Sequence, residues 1–258
     1  DINHLPILDN NGCTQALALR NEITQRAQVP IVIVAGGIGS RLLPLSNIIP
    51  KPLMPVGEMT MLEKIMENFY NQGLNDFKVI VNFKKDLIKT YMQEVEHPYN
   101  IEFIEEENFS GTIGGLSLLK DDLEGPFLVS NCDILADLSY QALLDWHDQR
   151  KADLTILGVR KRIDIPYGVV KVDTKSYVTN VQEKPFINNM IISGVYVMSS
   201  EILKLIPSKG EFGMDQLINK LLSEGFNVTC YPIESGWYDI GQFDEYRKLL
   251  NFLGDTSA

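Results

Sequence analysis

The stretch Ile31-Val32-Ile33-Val34-Ala35-Gly36-Gly37-Ile38-Gly39-Ser40-Arg41-Leu42 decides how this chain is to be read. Four β-branched residues and an alanine run without a charge and stop at a glycine pair. That pattern predicts a strand buried on both faces which delivers a backbone loop. Glycines placed directly after a strand let N–H groups approach phosphate oxygens with no Cβ in the way. Ala35, Gly36, Gly37, Gly39 and Ser40 are therefore the candidate nucleotide contacts. A dinucleotide fingerprint wants a third glycine where Leu42 stands, and a Walker loop wants Gly-Lys-Ser/Thr. Neither is present, so the oxidoreductase and the P-loop readings both fall away.

The loop continues through Pro44, Ser46 and Pro50-Lys51-Pro52. The two prolines restrict the backbone around Lys51 and so place an ammonium beside the glycines at low entropic cost. Arg41 and Lys51 then straddle a triphosphate. Either cation read alone would be a solvated surface residue; their coincidence with a post-strand glycine loop turns that reading round.

Working outward, Met61, Leu62, Ile65, Met66 and Phe69 recur at helical spacing with Gly73 as a stop. Phe77 to Val81 predicts a second buried strand, Leu87 to Val95 a helix and Ile101 to Ile104 a third strand. The order β, α, β, α, β implies parallel strands with crossover helices. Phe127 to Ser130 predicts a short strand running into Asn131-Cys132-Asp133, at the sheet edge where ligands bind in open α/β folds. Past Asp153 the texture changes to strand-like segments at Leu154 to Val159, Val169 to Val172, Val178 to Gln182 and Ile191 to Met198, which extend the sheet with mixed strands. Helical patterns return at Met214 to Leu222 and Phe243 to Phe252. The expected fold is a Rossmann-like α/β domain over 29–254, a mixed, mostly parallel sheet flanked by helices.

The totals bound the partners. With 258 residues and 45% hydrophobic content the chain can bury one large core, and a formal net charge of −11 argues against a broad nucleic-acid or membrane surface. Cys13, Cys132 and Cys230 are odd in number and far apart, without zinc spacing, which suits a reducing, cytoplasmic compartment. No apolar run approaches the roughly 20 residues of a bilayer span. A homo-oligomer is left open.

The segment from Gly37 through Pro52 resembles the signature G-x-G-x-R-L-x-P-x-[ST]-x-x-x-P-K-P of the sugar-phosphate nucleotidylyltransferases, the group that includes mannose-1-phosphate guanylyltransferase-like enzymes. The resemblance covers about Val29 to about Leu253. It implies transfer of a nucleoside monophosphate from a triphosphate to a sugar-1-phosphate, with release of pyrophosphate. It further implies that Asp133 and Asp239 hold Mg²⁺, although either Asp read by itself is better explained as a turn or cap. Cys132 stands where the family commonly has Gly.

In the similar enzymes the Lys matching Lys184 binds the acceptor's phosphate and the Glu matching Glu183 binds sugar hydroxyls. Tyr167-Gly168-Val169 and Ser193-Gly194-Val195-Tyr196 match the segments lining the sugar pocket, with Ser193 in place of a usual Asn. For Gly168 and Gly194 a strand bulge is an equal reading. Glu106 lies five residues before Gly111-Thr112-Ile113-Gly114, which resembles the base-recognition loop G-T-x-G. A carboxylate can accept from both N1–H and the exocyclic amine of guanine, which favours GTP; a solvated acidic loop over Glu105 to Glu107 is the alternative. His4, His97 and His147 lie outside every motif, so no general base is expected, and Lys51→Ala is expected to fold normally while losing most turnover.

Two other functions stay open at this point: transfer to a non-sugar phosphate such as phosphocholine, and a non-catalytic regulatory role on the same fold. Residues 1–28 form an N-terminal arm. His4 to Asp9 with Asn10-Asn11-Gly12 reads as strand and turn, and Leu17 to Ile23 as a short helix. The arm resembles the end of a cystathionine-β-synthase-type (CBS) domain, or simply packs on the core.

Overall fold

The computed structural model describes residues 29–241 and 246–247, together with the backbone of 4–8 and 14–19. In the arm, β1 (His4–Leu8) pairs antiparallel with β2 (Thr14–Leu19). Leu17, Ala18 and Leu19 are thus strand rather than the start of a helix, because their backbones pair with Pro6, Leu5 and His4. The remainder of that expected helix, at 20–23, lies outside the described residues, as does any further CBS-like feature.

The decisive run forms β3 (Ile31–Val34), and its burial follows the strand period. Ile31 and Ile33 enter one core and Val32 the other, all fully buried. The loop after it is not continuous coil. It contains three 3₁₀ turns, at Ser40–Leu42, Leu45–Asn47 and Lys51–Leu53, then the short pair β4 (Pro55–Val56) and β5 (Met59–Thr60).

Helix α1 (Met61–Tyr70) starts on a capping box. The Thr60 hydroxyl accepts from Glu63 N at 3.3 Å while Glu63 accepts from Thr60 N at 2.8 Å, satisfying two otherwise orphaned donors. Its apolar stripe, Met61, Leu62, Ile65, Met66 and Phe69, is buried. Then come β6 (Asp76–Val81), α2 (Lys85–Glu94), β7 (Asn100–Glu105), β8 (Pro126–Asn131), β9 (Ile134–Ala136) and α3 (Tyr140–Arg150). The second half gives β10 (Leu154–Asp164), β11 (Val169–Val172), β12 (Val178–Gln182), β13 (Phe186–Ser199), α4 (Met214–Glu224), β14 (Val228–Ile233) and β15 (Trp237–Asp239).

The main sheet has seven strands in the order β14-β10-β13-β8-β3-β6-β7. Every neighbouring pair is parallel except the two made by β13, which runs against β8 and β10. The mixed, mostly parallel sheet expected from the sequence is therefore present. One core packs the face bearing α1, α2 and α3; the other packs the face bearing α4 and the 3₁₀ segments Gly114–Leu119 and Ser200–Leu205.

β11 and β12 do not extend this sheet. They pair only with each other, beside the long overhang where β10 and β13 continue past the core. Of the expected helix 243–252, residues 246–247 are helical and the rest lies outside the described residues. Among the described residues no helix is long and apolar enough to cross a membrane.

Candidate active site

The C-terminal ends of β3 and β8 lie side by side, Val34 opposite Asn131. Whatever follows those two strands must meet. The glycine loop follows one, and Cys132-Asp133 follows the other. Across this edge, β13 brings Ser193 and Gly194, and β15 brings Asp239 through its pairing with β9.

Gly39 has φ 70°, in the left-handed region, and a Cβ there would stand 3.2 Å from Lys51 Cβ. Only glycine lets the loop fold this tightly onto Lys51. Lys51 is 9% exposed and its ammonium is paired with the Asp133 carboxylate, itself 5% exposed. Arg41 Nη1 lies 3.5 Å from Asp239 Oδ2, and Gly241 N donates to Asp239 Oδ1 at 3.0 Å. A Cβ built on Gly241 would touch Lys51 Nζ and oxygens of both Asp133 and Asp239. Residues far apart in the chain, Lys51, Asp133 and Asp239, thus converge on the room left by one missing side chain.

Two adjoining cavities share Arg41, Asn131 and Asp133 as a common wall. The first, about 380 Å³, is lined by Gly37, Gly39, Ser40, Arg41, Lys51, Phe109, Gly111, Thr112 and Asp133, among others. The second, about 350 Å³, is lined by Arg41, Asp133, Lys161, Ile191, Ile192, Ser193, Gly194, Trp237 and Asp239, among others. Gly194, at φ 94°, holds its backbone against the Asn131 amide, where a Cβ would sit 2.7 Å from Nδ2.

Ala35 and Gly36 are buried beneath the first cavity rather than on its wall. Glu106 is buried beside Gly36 and Gly115; its Oε1 accepts from both Ser110 N, at 2.9 Å, and the Ser110 hydroxyl. The solvated-loop alternative does not describe Glu106, and its neighbour Glu105 ends strand β7, exposed, with Lys85 and Lys89 holding its carboxyl at about 2. Gly168, Glu183 and Lys184 are exposed at the ends of the β11–β12 pair, with Gly168 next to the Glu183 carboxylate, and line neither cavity.

The sequence reading missed Phe109, Lys161 and Trp237 as wall residues, and named Asn131 only as part of the strand-end run. Trp237 directly precedes Tyr238-Asp239, and that adjacency was the available signal. Cys132 sits at 7% exposure, and burial pushes its thiol up to about 12, so it is a neutral packing group. Neither described histidine reaches the site: His97 Nε2 lies 3.1 Å from Met92 O and His147 Nδ1 2.9 Å from Thr155 Oγ1.

Two close carboxylates suit a hard cation such as Mg²⁺, which takes one or two of them plus substrate phosphates and water. Among the described residues no group of three or more His, Cys, Asp or Glu could hold a metal ion unaided. Asp133 and Asp239 are a donor set that fits an ion delivered together with phosphate oxygens.

The profile of the family described as Nucleotidyl transferase matches residues 30–256, and the chain belongs to that family. It is 30% identical to a mannose-1-phosphate guanyltransferase of Saccharomyces cerevisiae over 82% of this chain and 61% of that protein, and 32% identical to one of Aspergillus fumigatus over 82% and 60%. The chain thus spans about three fifths of the length of the curated relatives it matches. Among solved structures it resembles HddC from Yersinia pseudotuberculosis, with a TM-score of 0.69 and 26% identity over 87% of this chain and 99% of that one. HddC in complex with GMP-PN aligns with a TM-score of 0.68 and 25% identity, over the same 87% and 99%.

Proposed function

We propose that the chain transfers a guanylyl group from GTP to a hexose-1-phosphate, releasing pyrophosphate. One observation carries this reading: Arg41, Lys51, Asp133 and Asp239 converge where two cavities adjoin, one walled by the glycine loop and the other by β13 and Trp237. A donor and an acceptor seated in adjoining cavities meet at the shared wall.

An acceptor phosphate oxygen attacks the α-phosphorus, a new O–P bond forms, and the bond to the β-phosphate oxygen breaks with pyrophosphate leaving. The acceptor is a phosphate monoester with a second pKa of about 6, so its oxygen is already anionic at neutral pH and needs no base. Catalysis is then alignment plus charge stabilisation. Arg41 and Lys51 neutralise the triphosphate, and Lys51 stabilises the departing pyrophosphate. Asp133 and Asp239 would hold Mg²⁺, which supplies further neutralisation of phosphate charge when bound.

Glu106 lines neither cavity and its Oε1 is taken by Ser110, so it contributes to base choice only if that contact opens. The names of the curated relatives and the GMP-PN complex of HddC support the choice of guanine. Glu183, Lys184 and Gly168 would act on the acceptor from the ends of the separate β11–β12 pair, beside the overhang that brings Ile191 and Ile192 into the cavity. Free Cys132 and Cys230 accord with a reducing, cytoplasmic setting.

The test is pyrophosphate release across GTP, UTP, dTTP, ATP and CTP with mannose-, glucose- and glucosamine-1-phosphate. GTP with one of these acceptors should give the highest kcat/KM. A higher value with UTP or dTTP removes the guanine assignment, and no release with any pair removes the activity.

A further inference from the structure

Lys161 is a cation in the acceptor cavity that no sequence motif marks. It belongs to the run Arg160-Lys161-Arg162 on β10, where successive side chains alternate between faces. Arg160 pairs with Glu234 at 3.0 Å, and Arg162 pairs with Asp164 at 2.8 Å and lies over the Phe186 ring. Both guanidiniums are therefore engaged on the overhang's own surface. Lys161 lines the second cavity instead, and among the described residues it has no carboxylate partner. Its ammonium lies 5.6 Å from the Trp237 ring centroid, and the Trp237 indole is fixed by donating to Ser193 O at 3.0 Å.

The other charged residues of that cavity are Arg41, Asp133 and Asp239, which are paired with Lys51 or with each other. A dianionic acceptor entering there meets two carboxylates and needs a cation that is not already committed. Lys184 does not line the cavity, and its exposed backbone takes φ 44° at the turn after β12.

We infer that Lys161 is an acceptor-binding residue, its ammonium leaving the Trp237 face to hold the phosphate of the sugar-1-phosphate. This rests on the guanylyltransferase reading above and adds a residue to it.

Lys161→Ala should raise KM for the sugar-1-phosphate by about ten- to a hundredfold, the range for losing a hydrogen bond to a charged group, while KM for GTP stays within about twofold. Lys161→Arg should recover part of the loss. A binding readout separates failure of this inference from failure of the activity itself. In a Trp146→Phe protein Trp237 is the remaining tryptophan, and among the described residues Trp146 Nε1 makes no hydrogen bond that the change would remove. Titrating that protein with inorganic phosphate and with mannose-1-phosphate should change Trp237 emission, and adding Lys161→Ala should abolish the change for both probes. An unchanged acceptor KM, an equal rise in both KM values, or an emission change that survives Lys161→Ala overturns the assignment, the last even if no acceptor turns over.

Discussion

The nucleotide end and the acceptor overhang are built on opposite principles. At the nucleotide end two of the charges, Lys51 and Asp133, are almost sealed and neutralise one another under a loop that Gly39 lets close over them, while Arg41 stays exposed. Around the separate β11–β12 pair beside the overhang, Tyr167 and Tyr177 are 74% and 70% exposed, and Glu183 and Lys184 stand in solvent. The triphosphate site is common to any nucleotide donor, so it can be pre-set by rigid elements. The acceptor cavity instead combines core-packed walls such as Ile134 and Tyr196 with Lys161, Ile191 and Ile192 from the β10–β13 overhang, which can vary with less effect on the core. Specificity for the sugar is therefore expected on the projecting part and catalytic power on the buried part.

The largest effect that tests this contrast is at Lys51. Lys51→Met should lower pyrophosphate release by about 10²–10³-fold, the scale of losing a preorganised charge at the transition state. Burial revises the expectation that such a variant folds normally. It leaves Asp133 in the interior without its counter-ion, a loss of about 3–5 kcal/mol in comparable pairs. The melting temperature should fall in the presence of chelator and recover in part with Mg²⁺. A variant with wild-type kcat removes Lys51 from the mechanism.

A smaller effect compares equal kinds of truncation in the two regions. Ile33→Ala, in the fully buried β3, should cost about 2–5 kcal/mol. Val178→Ala, on the exposed β12, should stay within about 0.5 kcal/mol. Urea melts of both variants give the comparison, and similar losses would mean that the overhang is packed against something in solution.

The smallest effect lies away from both regions. His147 is buried on α3, and burial lowers its pKa from the ordinary 6.5. The unfolded chain then takes up a proton that the folded one resists. The stability from keeping His147 neutral is complete above pH 6.5 and is lost as the pH falls below it. His147→Asn should flatten the decline in melting temperature between about pH 7.5 and about pH 5.5; an unchanged slope assigns the decline to other groups.

The run Ile31–Val34, the stripe on α1 and the glycine loop are legible because each is a local pattern with a local physical cause: burial period, cap and chain reversal. Lys51 is legible through the prolines that flank it beside the glycine loop, and Asp133 stands at a strand end of the ligand-gathering sheet edge, although its metal role came from the family resemblance. Lys161 is not legible, because a lysine between two arginines reads as a solvated run until the neighbours' partners, Glu234 and Asp164, are known. The separate β11–β12 pair is also hidden, since alternation predicts a strand without saying which sheet it joins.

What the sequence determined alone is the class of fold and the glycine loop proposed to handle phosphate, through hydrophobic period and glycine placement. What only the tertiary structure decided is which charges meet. Asp239 reaches Arg41, and Gly241 leaves room for Lys51, Asp133 and Asp239, through the pairing of β15 with β9. Contacts of that kind depend on strand order and register across residues more than a hundred positions apart, and no local spacing encodes them.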